Sequence, residues 1–249
     1  MRACLNPATL RQGIALEEII DAAAGAGFAA VELRPTLVAE YVAAHGLAAL
    51  RDRLAAAGLA VASFGYPTPL RSSAADFERA LADVPAACAM AAALGAPGGT
   101  AVLPFRQGDG YAVERAETVG RIGRLGRLAA DHGLAVYLEF IGLHVPDGLA
   151  WAATLGGALE LIDEVGLPNV GVLIDSYHWH LGGSDPADLG RIRPGTPLLL
   201  HINDAPPGDV ATLTDAMRVL PGAGVIELPS WLGAIRAATG YDGDLSLEL

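Results

Sequence analysis

Six times along this 249-residue chain, an alanine- and leucine-rich helical stretch runs into a glycine and then, within a few residues, into a short apolar run. Gly27 precedes AAVEL, Gly58 LAVASF, Gly95 TAVLPF, Gly133 LAVYLEF, Gly166 VGVLID and Gly240 DLSLEL. Glycine adopts the left-handed conformation that ends a helix without steric cost, so each reads as a helix stop feeding a short loop into a strand. Two further β-like segments, Arg2 to Asn6 and Leu198 to Ile202, bring the strands to eight. These runs are nearly continuous in apolar residues and do not alternate, as parallel strands covered on both faces should read. Eight such strands interleaved with helices predict a (β/α)8 TIM barrel in preference to an open doubly wound sheet. No linker-like stretch divides the chain, so residues 1–249 read as one domain.

The strand ends carry the chemistry. AVYLE closes on Glu139, VGVLID on Asp175, PLLLH on His201 and DLSLE on Glu248. In a barrel these are the C-terminal ends of strands five to eight, on the face that bears active sites. Any one of them has an ordinary explanation, as a cap for the following helix or as a satisfied buried polar group. Four at the same end of four successive strands form a cluster whose desolvation calls for a shared counter-charge, and a divalent cation supplies it. Three carboxylates and one imidazole are a mostly hard, oxygen-rich set. The expected cofactor is one divalent metal ion, Mn²⁺ first, with Mg²⁺, Co²⁺ and Zn²⁺ as alternatives.

Composition narrows the function further. A net charge of −12 and a pI near 4.8 oppose binding to nucleic acids and anionic membranes, so the expected partner is a small molecule. Lysine is absent and all sixteen basic residues are arginine, which excludes Schiff-base catalysis, pyridoxal phosphate anchoring and a P-loop. Cys4 and Cys88 lack metal or redox spacing and read as buried thiols. No signal-peptide pattern or membrane-length apolar stretch is evident, so the expected location is the cytoplasm. Gly120, Gly123 and Gly126 have the spacing of one helix face lying against a neighbour, not of a dinucleotide loop, and Pro85 is expected to kink or split the helix from Asp76 to Leu94. His45 and His132 read as helix C-terminal residues, His144 as a loop residue near the barrel mouth, and Glu32 and Arg34 as pocket-lining groups or a rim ion pair.

Several segments together resemble the xylose isomerase-like TIM barrels, a family of sugar isomerases and epimerases, inosose isomerases and dehydratases, and endonuclease IV. They are LEF at Leu138 to Phe140, DSYHWH from Asp175 to His180, HINDA from His201 to Ala205, RVLPGAGVIEL from Arg218 to Leu228, and GYDGDLSLEL from Gly240 to Leu249. The resemblance covers nearly the whole chain and is specific for the family, not for substrate. It implies that Glu139, Asp175, His201 and Glu248 hold one metal ion, that Glu139 and Glu248 are also the paired acid/base groups, and that His178 and Arg218 bind substrate oxygens. The activity implied is a metal-dependent isomerase or epimerase of a small ketose or related polyhydroxy carbonyl compound, acting through a cis-enediolate. A dehydratase of the inosose or 3-dehydroshikimate type is the main alternative, because the same groups can expel a β-hydroxyl.

Departures from the family pattern qualify these expectations. Arg218 reaches its matching place only if APPGDVATLTDAM is an insertion after His201, and Ala223 stands where relatives usually carry Glu. The chain stops one residue after Glu248, so the eighth helix is expected to be missing or truncated, with either further chain or a neighbouring copy in a homo-oligomer covering that flank. The extra histidines of an endonuclease IV trinuclear site are missing from ASFGYP, TAVLPF and DAMR, which places DNA repair, with non-catalytic binding, last among the readings.

Overall fold

A computed structural model describes residues 1–67, 70–104, 114–143 and 150–249. Its eight strands are β1 (Arg2–Leu5), β2 (Ala30–Leu33), β3 (Ala60–Phe64), β4 (Gly98–Val102), β5 (Ala135–Glu139), β6 (Val170–Asp175), β7 (Leu198–Ile202) and β8 (Asp244–Leu247). Between them run α1 (Leu16–Gly25), α2 (Pro35–His45), α3 (Leu47–Ala56), α4 (Ala74–Ala93), α5 (Arg115–Ala130), α6 (Leu155–Val165), α7 (Ser176–Gly182) and α8 (Leu228–Thr239). All pairings are parallel, in the order β3-β2-β1-β8-β7-β6-β5-β4, so the sheet curls into the expected barrel with a seam between β3 and β4. The amide of Tyr66, just past β3, crosses that seam to the Thr100 carbonyl at 3.1 Å. The last helix precedes β8, and β8 is the final element of the chain.

The six predicted helix stops all adopt left-handed backbone, with φ from +66° at Gly166 to +80° at Gly27. Strand β4 starts two residues earlier than its apolar run suggests. Backbone crowding at the seam is the reason: a Cβ on Gly99 would collide with the Phe64 carbonyl oxygen, so only glycine lets the two strands approach. Helix α4 continues through Pro85, so the chain does not split there. Pro85 itself lies on the exposed face of the helix, flanked by buried Leu81, Val84, Ala87 and Cys88. Of the three spaced glycines of α5, only Gly126 makes the close approach, against Leu167 and Val170; Gly120 faces open space and Gly123 meets only Arg127 of its own helix. Cys4 and Cys88 are both buried free thiols, and among the described residues no helix is long and apolar enough to cross a membrane.

Residues two apart on a strand share a face, and this alternation sets the floor of the site. Tyr137, Leu173 and Leu199 pack together as an apolar layer. Glu139, Asp175 and His201 each follow a member of that layer by two residues. On β8 the same spacing takes buried Ser246 to Glu248, and on β2 it takes buried Ala30 to Glu32.

Candidate metal centre

The four strand-end residues converge. Glu139, Asp175, His201 and Glu248 each offer a ligand atom, and all four atoms lie within 4.8 Å of one another. Ladder register contributes directly, since Asp175 pairs with His201 across β6 and β7. Nδ1 of His201 lies 2.9 Å from Glu248 Oε2 and 3.8 Å from Glu139 Oε1, which puts that nitrogen on the ligand side. Asp175 turns out to have both roles weighed for it. Its Oδ1 accepts the Tyr177 and His178 amides at 2.8 and 2.9 Å, capping α7, while Oδ2 accepts from Asn203 Nδ2 at 2.7 Å.

The electrostatics report a shortage of positive charge. Burial, reinforced by the neighbouring Glu248 charge, pushes the Glu139 carboxyl up to about 8. Burial acts against the His201 imidazolium, yet Glu32 and Glu248 outweigh it and hold its pKa well above the usual range. Glu248 is also penalised by burial, but the His201 charge and hydrogen bond bring it down to about 2. Without a cation, the site therefore favours protonation of Glu139 and His201. A divalent cation in that space would replace protons on His201 and Glu139 and satisfy all three carboxylates, so this donor set fits such an ion.

The two residues expected to bind substrate flank the cluster. His178 sits in the first turn of α7, not in a loop, and is buried; its Nε2 lies 3.0 Å from Arg218 Nη2. The Arg218 side chain, only 8 % exposed, extends inward to 3.7 Å from Glu248 Oε2 and 4.0 Å from Asp175 Oδ2. On its other side it pairs at 3.0 Å with Asp215, a 56 % exposed carboxylate from the inserted segment. Nδ1 of His178 and Nε of Arg218 are buried without a hydrogen-bond partner, so both leave donor or acceptor capacity within the site. His144 lies outside the described residues.

Two contributors, Asp204 and Asn203, were not singled out in the sequence, and a third, Glu32, has a different partner from the one weighed for it. Asp204 is fully buried and accepts four backbone amides: Ala205 and Ile226 on Oδ1 at 2.8 and 2.9 Å, and Gly222 and Gly224 on Oδ2 at 3.0 Å each. It thereby pins the loop that starts from Arg218, and a Cβ at Gly224 would collide with its carboxylate. Asn203 bridges neighbouring strands through Asp175 and the Glu248 carbonyl. Glu32, read as lining the pocket or pairing with Arg34, is buried with Oε1 2.9 Å from His201 Nε2, whereas Arg34 is solvent-exposed at the start of α2. The sequence signal for Glu32 was its place near the end of the second apolar run.

Comparison with known proteins agrees with this fold. Residues 20–249 match the family model described as xylose isomerase-like TIM barrel. An inosose isomerase of Halalkalibacterium halodurans is 35% identical over 131 residues, covering 53% of this chain and 45% of that protein. A 3-dehydroshikimate dehydratase of Pseudomonas putida is 31% identical over 130 residues, 50% of this chain and 19% of that protein. The match thus spans less than half the length of these curated relatives. Among solved structures, a xylose isomerase domain protein of Alicyclobacillus acidocaldarius superposes with a TM-score of 0.87 at 29% identity, covering all of this chain and 89% of that one.

Proposed function

The chain belongs to the xylose isomerase-like TIM barrel family, and from that premise we propose that it is a divalent-metal-dependent isomerase or epimerase of a small polyhydroxy carbonyl compound. One observation carries the reading: two glutamates, buried Glu139 and part-buried Glu248, border the same ligand cluster from strands on different sides of His201. Glu139, Asp175, His201 and Glu248 would hold the ion, which when bound polarises a substrate carbonyl and acidifies the neighbouring C–H. One glutamate then removes the carbon-bound proton and the other returns a proton. Return to the same carbon from the opposite face gives an epimer; delivery to the adjacent carbon interconverts aldose and ketose. His178 and Arg218 orient the substrate oxygens from the side. Among the described residues Arg218 is the one guanidinium within 4.0 Å of a ligand carboxylate, and Asp215 already balances it, which favours an uncharged substrate.

Similarity to a 3-dehydroshikimate dehydratase supports a second reading, in which the same proton abstraction is followed by loss of a β-hydroxyl. The glutamate that has taken the carbon-bound proton can pass a proton on to that leaving group. Metal-loaded protein incubated with ketoses and inososes in D₂O separates the two. Deuterium on the carbon next to the carbonyl, with the skeleton intact, marks isomerisation, and loss of water marks dehydration. No exchange with any substrate would remove both readings.

His178 tests the division between holding metal and binding substrate. It contacts Arg218 but does not belong to the four-residue cluster. His178→Ala is expected to lower turnover by about 10²-fold or more while changing metal affinity little. Equal losses in both would make it a metal ligand.

A further inference from the structure

Of all groups outside the four ligands, Glu32 is the one whose place the proposed chemistry leaves unexplained. It is a carboxylate buried on β2, one residue before the strand ends. Three donors from three directions grip it: the Ser246 hydroxyl of β8 and the Asn6 amide, at 3.2 Å, on Oε1, and the Ser63 hydroxyl of β3 on Oε2. Asn6 also reaches Glu248 Oε1 at 3.3 Å, so one amide ties Glu32 to the ligand set. This is costly construction for a mere core residue, because a buried carboxylate is tolerated only when its lone pairs are all engaged.

What the construction faces is the outer edge of the His201 ring. Nε2 lies 2.9 Å from Glu32 Oε1, out of line for a well-formed hydrogen bond, while Nδ1 faces Glu139 and Glu248. The two nitrogens of a neutral imidazole cannot both carry a proton, and a carboxylate can only accept one. An ionised Glu32 therefore selects the tautomer with hydrogen on Nε2 and leaves the Nδ1 lone pair free on the side of the other three ligands. A small rotation of the ring on seating an ion would straighten the Nε2–H contact.

We propose that Glu32 is a positioning residue that fixes the tautomer and orientation of His201, presenting Nδ1 to the metal, with Asn6, Ser63 and Ser246 holding Glu32 in place. This rests on the metal-dependent reading above, but its test does not depend on turnover. Partners of this kind behind a metal-binding histidine typically change affinity by about 10- to 100-fold.

The test uses Zn²⁺, which is diamagnetic, on the full chain. Competition titration should give Glu32→Gln a Zn²⁺ affinity about 10- to 100-fold weaker than wild type, with an unchanged circular dichroism spectrum in the metal-free state. Long-range ¹H–¹⁵N NMR of the Zn²⁺-loaded wild type should assign the proton to Nε2 of His201 and the metal to Nδ1. That spectrum needs no variant, so it decides the matter even if Glu32→Gln does not fold. Metal on Nε2, or equal affinity in a folded Glu32→Gln, would overturn the role of Glu32 while leaving the metal reading intact. A wild type that binds no Zn²⁺, Mn²⁺, Co²⁺ or Mg²⁺ would overturn both.

Discussion

Replacing either Glu139 or Glu248 with glutamine should lower turnover by about 10²- to 10⁴-fold, the usual cost of losing a proton-transfer group. Metal affinity should fall much less, because an amide oxygen can still ligate and three of the four ligands remain. The two variants should also differ from each other. If each glutamate serves one face of the substrate, Glu139→Gln and Glu248→Gln will each still exchange the α-proton of one epimer with D₂O and not that of the other. Their settings already differ: Glu139 is held toward the protonated form by burial and the Glu248 charge, whereas Glu248, though buried, is kept ionised by His201. Without metal, Glu139 is thus the readier proton donor and Glu248 the readier acceptor. The check is steady-state turnover together with deuterium wash-in by NMR for each variant. Wild-type turnover in either one would falsify the two-base mechanism and leave dehydration or simple metal binding to account for the cluster.

The four-residue cluster was legible because the strand period carries it. Buried parallel strands write themselves as apolar runs, and a polar residue closing such a run has only one place to go, the rim of the barrel. Glu139, Asp175 and His201 are therefore visible as interruptions, each two residues past a buried member of the Tyr137, Leu173, Leu199 layer. Glu32 is the same kind of interruption, but Arg34 follows it closely and suggests a surface ion pair; only the third dimension shows Arg34 in solvent and Glu32 behind His201. Asp204 was hidden for another reason. Its four amide partners include three from residues 222, 224 and 226, and no local pattern announces a contact across an insertion. At β4, the Gly98–Gly99 pair reads as a loop by propensity, yet both are strand, with Gly99 packed against the Phe64 carbonyl of β3 at the seam and Gly98 against Ala135 of β5. Pro85 misleads in the opposite sense: read as able to split the helix, it sits on the exposed face of a helix that continues through it.

Metal affinity should climb steeply with pH between about pH 6 and 8, and the stability of the metal-free protein should move the other way. Glu139, raised from 4.5 to about 8, holds its proton through most of this range, so an ion must displace it. His201, raised well above 6.5, must also give up a proton before Nδ1 can ligate. Glu248, lowered to about 2, is ionised throughout and adds nothing to the slope. With one to two protons released per ion, the association constant should rise about 10- to 100-fold for each pH unit. Calorimetry in buffers of different ionisation enthalpy counts those protons directly. For folding without metal the signs reverse. The folded protein binds the Glu139 proton that the unfolded chain has lost, so this group's contribution declines as pH rises from 4.5 to about 8. The His201 contribution is fully present below 6.5 and is lost as pH rises through its higher folded value. The gap in Tm between metal-loaded and chelator-treated protein should therefore widen as pH rises from 6 to 8. A gap that stays constant, or calorimetry showing no proton release, would mean that the ion does not take the place of the protons shared by Glu139 and His201.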